Sequence, residues 1–584
     1  MGTLFVIAQN FGAIYPARVV QESLDEVVMV IEQTKNLSDP IEKSRIIETV
    51  THQIFIFFLT IIGVALARGL LMFLMRQTII VMSRRIEFDL KNEIFNQYQR
   101  LSMSFYRRNN TGDLMNRISE DVSRVRMYLG PAVMYTINLF ILFVLVMITM
   151  LSVNVKLTLF VLAPLPLLSV SIYFVSNIMN KRSEEIQEQQ SHLSTFVQEA
   201  FSGIRILKSF VKEKTNSKRF EDESENYKER NMKLVRVNSM FFPLMLLLVG
   251  LSTLLTVFIG GQEVIAGRAT PGNIAEFIIY VNLLTWPVAS LGWVTSIIQR
   301  AAASQERINE FLHLEPEIIS GDNSESVLEG DIEFKNVSFT YKDSGIKAIE
   351  DVSFSLRKGA SIAILGRTGS GKSTLANLIL RMMDPGSGEV LVDNKSIQSW
   401  NLANLRKQIG FVPQDMFLFS DTIENNIAFG LSDSIPDKER NEKVESAARE
   451  AVIYDNIIEF PKGFQTQLGE RGITLSGGQK QRVSIARAII KKPALLLFDD
   501  CLSAVDTRTE EKILTNLKEL MKDRSSIFIS HRVSTVKHAD QIIVLDHGRI
   551  IEQGTHQSLM NLKGVYAELY EKQLLEEEKT GNFS

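Results

Sequence analysis

One run of consecutive residues has the types and spacing that suit phosphate binding. It reads Gly366, Arg367, Thr368, Gly369, Ser370, Gly371, Lys372, Ser373 and Thr374. The apolar stretch 361–365 precedes the run and a helical pattern follows from Leu375, which is the order of strand, loop and helix that a phosphate-binding loop needs. Glycines let backbone N–H groups close around a phosphate, while Lys372 is placed to reach the outer phosphates and Ser373 to bind Mg²⁺.

A pair of carboxylates further along the chain predicts a metal-holding strand end. Asp499 and Asp500 follow the apolar run 495–498, which has the pattern of a buried strand. A carboxylate at the end of such a strand holds Mg²⁺ in ATPases that have a phosphate-binding loop. The alternative, an acidic pair that caps a helix or fills a turn, is disfavoured because the phosphate loop lies upstream.

The first half of the chain contains apolar stretches long enough to cross a bilayer. A helix of about 20 apolar residues spans the hydrocarbon, because lipid offers no partner for exposed backbone groups. The predicted spans are 3–20, 52–75, 128–151, 157–179, 240–261 and 273–299. The first holds Gln9, Asn10 and Pro16 and lacks a charged lead-in. This leaves open a truncated start or a signal peptide, although no positive n-region favours the latter.

Charges between the spans predict their orientation. The stretch 21–50 is mainly acidic, whereas 76–126 is rich in Arg. Basic loops stay on the cytoplasmic side, so we expect a multi-pass protein of the cytoplasmic (inner) membrane with both termini and the soluble half in the cytoplasm. The stretch 180–239 is long, charged and poor in helix breakers, and we expect such stretches to continue the spans as helices.

Length and composition divide the chain into unlike parts. A chain of 584 residues exceeds one hydrophobic core. We predict a six-helix transmembrane domain at 1–310, a linker at 311–330, an α/β domain at 331–575 and a tail at 576–584. The formal net charge of −3 gives no basic field for nucleic acid, and the lone Cys501 forms no internal disulfide.

Further motifs give nearly the whole chain a resemblance to the exporters that carry an ATP-binding cassette (ABC exporters). Six spans before one cassette resemble the half-transporter plan of that family. The matching motifs are Tyr341 as the aromatic that stacks on adenine, Gln414 as the Q-loop, 466–472 with Glu470 and Arg471 as the exporter segment, Leu475 to Gln479 as the signature, 503–506 as the D-loop and His531 as the switch histidine.

The resemblance implies ATP and Mg²⁺ as cofactors and assigns roles to residues. Catalysis would fall to Asp500, Gln414 and His531, and the metal would be held by Ser373, Gln414 and Asp499. ATP would contact Tyr341, the loop from Gly366 to Thr374, and Asp506. Ser476, Gly477, Gly478 and Gln479 would complete the nucleotide site of the opposite subunit, since a helix N-terminus with free N–H groups binds phosphate.

Two cytoplasmic segments resemble the coupling elements of these exporters. One runs from Tyr106 to Leu114, where Gly112 and a polar run interrupt two long helices, and the other spans 202–208. Such elements would rest on the cassettes, so that closure of the cassette dimer moves the spans as levers.

One position departs from the family pattern. The residue after the metal-holding aspartate is normally Glu in competent sites of this family, and here it is Asp500. Asp500 beside an intact signature resembles one half of a heterodimeric multidrug exporter, and a homodimer stays equally open. The predicted function is ATP-driven export of amphiphilic or lipid-like substrates by a dimer of half-transporters. The alternative is a lipid or lipopolysaccharide-precursor flippase, for which Arg68, Arg76 and Arg300 could meet an anionic headgroup.

Overall fold

The chain folds into two compact units. The computed structural model describes residues 1–35, 39–321, 326–432, 434–469, 475–501, 507–521 and 524–581. Unit 1 comprises Met1–Gln99 and Gly112–Leu314, and unit 2 comprises Arg100–Thr111 and Glu315–Ser584. The short segment 100–111 therefore belongs with the C-terminal unit although long helices flank it in the sequence.

Unit 1 is built of long helices. They are α1 (Gly2–Lys35), α2 (Pro40–Arg100), α4 (Thr111–Val153), α5 (Val155–Ser202), α6 (Ile204–Ser209), α7 (Glu213–Ile265) and α8 (Pro271–Leu312), and the short helix α3 (Met103–Arg108) of unit 2 lies between α2 and α4 in the chain. Among the described helices, five are long and apolar enough to cross a membrane, namely α2, α4, α5, α7 and α8. The first predicted span, 3–20, lies within α1, which is not among these five.

The membrane-length helices continue far past the predicted spans. Helix α2 has 61 residues, or about 90 Å at about 1.5 Å per residue, against about 30 Å of hydrocarbon. The predicted helical continuation of 180–239 is confirmed on both sides of a break, because α5 ends at Ser202, α6 is a single short helix and α7 begins at Glu213. The interruption predicted around Gly112 is also present, between α3 and α4.

Polar side chains fix the two short turns between the later helices of unit 1. Asn154 separates α4 from α5 and accepts a hydrogen bond from the Leu157 N–H at 2.9 Å. Thr270 caps α8 in a reciprocal pair with Asn273. Glu263, which is 1 % exposed, accepts from Lys156 and Arg268 at 2.9 and 2.7 Å. This buried carboxylate therefore ties the two turns together.

Unit 2 contains two sheets. Its strands are β1 (Ile332–Thr340), β2 (Lys347–Leu356), β3 (Ser361–Gly366), β4 (Ser387–Val392), β5 (Lys395–Ser396), β6 (Ile409–Val412), β7 (Leu495–Asp499), β8 (Ser525–Ser530), β9 (Gln541–Asp546) and β10 (Arg549–Gly554). A four-stranded antiparallel sheet has the order β2-β1-β4-β5, and a six-stranded sheet has the order β10-β9-β3-β8-β7-β6. In the larger sheet every pair is parallel except β9 with β10.

Both faces of the six-stranded sheet are buried, because successive strand residues point to opposite sides. Ile362 and Ile364 join one hydrophobic core, whereas Ala363 and Leu365 join the other. On β7, Leu496 and Phe498 join the second of these cores, and Phe498 stacks on Phe528 of β8 with ring centroids 5.0 Å apart. The continuous apolar runs predicted as buried strands are thus explained by a sheet covered on both faces.

Unit 2 also contains a set of helices. They are α9 (Lys372–Ile379), α10 (Leu402–Lys407), α11 (Ile423–Ala428), α12 (Asp437–Glu450), α13 (Tyr454–Ile458), α14 (Gly477–Ile489), α15 (Thr507–Met521), α16 (Val533–Val536), α17 (His556–Leu562) and α18 (Val565–Gly581). Helix α9 begins at Lys372, within the run from Gly366 to Thr374 and three residues before Leu375, where the sequence predicted the helical pattern.

Candidate nucleotide site

The predicted site residues follow neighbouring parallel strands at the carboxyl edge of the six-stranded sheet. The phosphate loop follows β3, Asp499 and Asp500 stand at the end of β7, and His531 follows β8, which lies between β3 and β7. Gln414 comes two residues after β6, the edge strand beside β7. The topology thereby brings together residues that are far apart in the sequence, at the edge where α/β sheets bind ligands.

The phosphate loop has a backbone shape that its glycines allow. Gly369 and Gly371 have φ of +84° and +102°, a region that side chains disfavour. A Cβ on Gly371 would also lie 2.3 Å from the Ala348 carbonyl oxygen. The Gly548 N–H donates to the Ser370 carbonyl at 3.1 Å and holds the loop from the far side. The shape of the loop is therefore fixed by its own glycines and by contacts within unit 2.

The ammonium group of Lys372 is held by the loop itself. Its Nζ donates to the carbonyl oxygens of Gly366 and Arg367, each at 2.8 Å. Burial lowers the pKa of Lys372, while the nearby carboxylates of Asp500 and Asp499 raise it. A phosphate entering the loop would exchange neutral carbonyls for anionic oxygens around this ammonium, which strengthens its hydrogen bonds.

The metal-binding prediction can be tested against the donors present. Asp499 is 5 % exposed, and burial raises the pKa of its carboxyl, while a hydrogen bond from the Ser373 hydroxyl lowers it. The hydroxyl of Ser370 is buried and has no hydrogen-bond partner among the described residues. A carboxylate and a hydroxyl beside a phosphate loop fit Mg²⁺, which takes few protein ligands and keeps substrate phosphates and waters.

Asp500 contacts both of the other predicted catalytic residues. Its carboxylate lies 2.8 Å from His531 Nδ1, and it accepts a longer hydrogen bond of 3.5 Å from Gln414 Nε2. The backbone of Asp500 is left-handed, with φ of +48°, and its N–H donates to the Ile529 carbonyl at 2.8 Å. Asp adopts this conformation more readily than most residues.

A cavity of about 500 Å³ unites these groups. Most of the predicted site residues line it: Tyr341, Thr368, Gly369, Gly371, Lys372, Ser373, Thr374, Gln414, Asp499, Asp500 and His531. The Tyr341 hydroxyl lies 3.0 Å from Thr374 Oγ1, and its ring meets Phe339 edge to face at 5.0 Å. Gly366, Arg367 and Ser370 belong to the loop behind the lining.

The signature residues lie apart from this cavity. Ser476 caps α14 in a reciprocal pair with Gln479, whose N–H donates to Ser476 Oγ at 3.3 Å. Ser476 and Gly477 are exposed, and none of the signature residues is among the described residues that line the cavity. Asp506 and the rest of 503–506, with Glu470 and Arg471, lie outside the described residues.

The cavity also has lining residues that the motifs did not predict. The turn at His547 and Gly548 joins β9 to β10, and Lys347 and Ala348 begin β2. Arg107 of α3 lines it as well, although the sequence predicted this residue only as part of a coupling element. A Gly between two apolar runs is typical of a turn, but this pattern does not indicate that the turn lies at the phosphate loop.

The fold and the site together define a class of protein. A nucleotide cavity built on a phosphate loop belongs to an ATPase, and the same chain carries a unit of membrane-length helices. Such a chain is an ATP-driven membrane transporter.

Comparisons with known proteins agree with this class. Residues 1–288 match the family described as ABC transporter transmembrane region, and residues 349–503 match the family described as ABC transporter. The chain belongs to the ABC transporter family, and within it to the half-transporter exporters, which function as dimers. The predicted fold class and the ATPase activity coupled to transport are confirmed.

Individual relatives cover most of the chain. A probable multidrug resistance ABC transporter ATP-binding/permease protein, YheI of Bacillus subtilis (strain 168), is 37 % identical over 84 % of this chain and 83 % of its own length. An ATP-dependent lipid A-core flippase of Pseudomonas fluorescens (strain Pf0-1) is 36 % identical over 88 % and 84 %. A bacterial Atm1-family ABC exporter, solved with ATP bound, matches with a TM-score of 0.75 and 26 % identity over 98 % of both chains.

Proposed function

We propose that this chain exports amphiphilic or lipid-like molecules across the cytoplasmic membrane as one half of a dimer, with Mg²⁺ and ATP at the cavity. The observation that carries this proposal is the assembled cavity of Tyr341, Lys372, Asp499 and His531 on a chain with membrane-length helices. The names of the relatives, multidrug transporters and lipid A-core flippases, support the substrate class.

Each residue of the cavity has a role in this proposal. Tyr341 stacks on the base, while Lys372 and the loop N–H groups hold the phosphates. Ser373, Gln414 and Asp499 would hold Mg²⁺, which neutralises charge that develops on the phosphates. Asp500 orients the attacking water, and His531 contacts the outer phosphate. Asp500 and His531 lie 2.8 Å apart, so each can position the other beside the phosphates.

The dimer supplies the second half of each site. The exposed N-terminus of α14 is capped by Ser476 and is the positive end of a helix dipole, where the first N–H groups of a helix point outward. We propose that this end meets the nucleotide held by the partner subunit. The partner is a second copy of this chain or a different half-transporter. In the second case the partner has Glu at the position where this chain has Asp500. In the proposed orientation both termini and unit 2 face the cytoplasm.

ATP hydrolysis by the purified full chain in lipid nanodiscs tests the proposal. Lys372→Ala should abolish turnover, because the phosphates lose their main cation. Lys358→Ala is the matched control, since Lys358 is exposed and pairs only with Glu329 among the described residues at 3.2 Å. EDTA should stop turnover and leave weaker ATP binding.

The two outcomes of that assay also decide the partner. Turnover that depends on Lys372 means that Asp500 suffices and that a homodimer works. No turnover in a folded sample that binds ATP points to a partner with the missing Glu. Undiminished activity of Lys372→Ala would overturn the site assignment.

A lipid substrate is the second candidate, and Arg68 favours it. Arg68 lies on α2 against Gly12 of α1, and its Nε is buried with no hydrogen-bond partner among the described residues. A guanidinium within a predicted span, with a donor that has no partner among the described residues, suits an anionic headgroup. Arg300, in contrast, donates to Ser296 Oγ at 2.7 Å. If lipid is the substrate, Arg68→Gln should lose lipid-stimulated ATPase activity while Arg300→Gln keeps it. If amphiphilic drugs stimulate the ATPase activity of both variants and lipid does not, lipid is not the substrate.

A further inference from the structure

Arg107 makes an unexpected contact at the base end of the cavity. Its guanidinium carbon lies 4.1 Å from the centre of the Tyr341 ring, which is the distance of a cation–π contact. One of its terminal nitrogens lies 3.3 Å from Asp343 Oδ2, two residues beyond that ring. Both partners of Arg107 thus lie in the segment that follows β1.

The guanidinium and the ring that it covers belong to one cavity. Arg107 and Tyr341 both line the cavity that also contains the phosphate loop. The ring is held in place by its hydroxyl at Thr374 and by Phe339 at its side. The ring is thus fixed by neighbours of its own, while Arg107 lies over it at cation–π distance.

The helix that carries Arg107 has other contacts that do not involve the ring. Ser104 Oγ donates to Glu317 at 2.6 Å, and Arg108 donates to the same carboxylate at 3.2 Å. The Ile318 N–H donates to Ser102 Oγ at 3.3 Å. Helix α3 would thus stay attached to unit 2 when Arg107 leaves the ring, and only this one side chain needs to move.

We propose that Arg107 is a latch on the adenine platform, which the nucleotide base displaces when it stacks on Tyr341. Base occupancy is then sensed directly by α3, the short helix between α2 and α4. This inference rests on the proposed role of the cavity as an ATP site. It adds a specificity step, because a ligand with phosphates but no base leaves the latch closed.

The test compares ATP with tripolyphosphate, which has no base, on the full chain in nanodiscs at low temperature without Mg²⁺. In Arg107→Ala the base no longer has to displace a cation–π contact. The affinity for ATP relative to tripolyphosphate should therefore improve by about two- to fivefold, which is the usual strength of such a contact. The quantity compared is the Kd for tripolyphosphate divided by the Kd for ATP, and this ratio should rise. The ratio cancels the loss of one positive charge, which affects both ligands. Arg107→Lys, which keeps the charge and loses the planar group, should show part of the change.

Arg108→Ala is the matched control. It removes the same charge from the same helix, yet Arg108 contacts Glu317 rather than the ring, so the ratio should not change. In a Tyr341→Ala background, Arg107→Ala should have no effect on the ratio. An unchanged ratio in Arg107→Ala, or one that falls, overturns the latch, and a fall would mean that Arg107 helps to hold the base. Failure of the unaltered chain to bind ATP with dependence on Lys372 would instead reject the proposed function.

Discussion

The length of the side chain at Asp500 should limit the rate of hydrolysis. The Asp500 carboxylate is drawn to His531 at 2.8 Å and only loosely to Gln414 at 3.5 Å. Asp500→Glu extends the carboxylate by about 1 Å, and a misplacement of about that size can cost about a hundredfold in rate, or about 2.7 kcal/mol of barrier. We therefore expect Asp500→Glu to raise ATPase activity of the purified chain by about ten- to a hundredfold.

The same substitution should slightly destabilise the fold, which gives an independent readout. Residue 500 has φ of +48°, a conformation that Asp tolerates better than Glu, with a strain of about 1 kcal/mol. Thermal unfolding should thus move down by a few degrees while the rate goes up.

Steady-state phosphate release in nanodiscs, with Asp500→Asn and Lys372→Ala as zeros, measures the rate. Asp546→Glu is the matched control, because Asp546 ends β9 at the same sheet edge but does not line the cavity. If Asp500→Glu binds ATP but hydrolyses it no faster than the unaltered chain, the length of the Asp500 side chain does not limit hydrolysis.

Three further predictions follow from single contacts. Gly371→Ala should abolish ATP binding and lower the unfolding free energy by about 1–3 kcal/mol, because φ is +102° and the new Cβ would meet the Ala348 carbonyl; Gly359→Ala, at φ of +74° in open space, should keep ATP binding. Ser476→Ala should cost about 1 kcal/mol of helix stability and at least tenfold in ATPase activity with ATP binding unchanged, whereas Thr555→Ala, at the equivalent cap of α17, should keep its activity. Burial lowers the pKa of Lys491 to about 8. Between about pH 8 and the ordinary pKa of about 10.4 the folded chain therefore binds fewer protons than the unfolded chain, and its stability rises with pH. Melting curves of Lys491→Met should lack this contribution, and an equal rise in the variant and the unaltered chain would contradict the prediction.

The phosphate end of the site could be predicted from the sequence because its residues lie in short continuous runs. The loop from Gly366 to Thr374 and the strand end at Asp499 are short runs whose flanking residues also specify the elements that hold them. Their meeting at one sheet edge follows from parallel strand order, which the motifs imply as a set.

The base end could not be predicted in the same way. Arg107 reaches Tyr341 because α3 belongs with unit 2. The resemblance of the run from Tyr106 to a coupling element predicted that this segment rests on the cassette, but it did not indicate that Arg107 meets Tyr341. The first span gave a weaker signal for a physical reason. Gln9 and Asn10, which lower the apolar character of α1, both donate to Asn138 of α4 at 3.1 Å and are buried in unit 1, so their amide N–H groups are paired within the fold rather than with water.

Both ends of the cavity are occupied by contacts within the protein that a nucleotide must replace. At one end Arg107 lies on Tyr341, and at the other Lys372 is bound to the Gly366 and Arg367 carbonyls. Release of these side chains costs free energy, so the net affinity for ATP should be lower than the contacts with ATP alone would give. That same free energy is what a ligand can apply to a conformational equilibrium, because a ligand shifts two states only by its differential affinity for them. A variant without the Arg107 contact should thus bind ATP more tightly and yet couple binding less strongly to the helices on either side of α3.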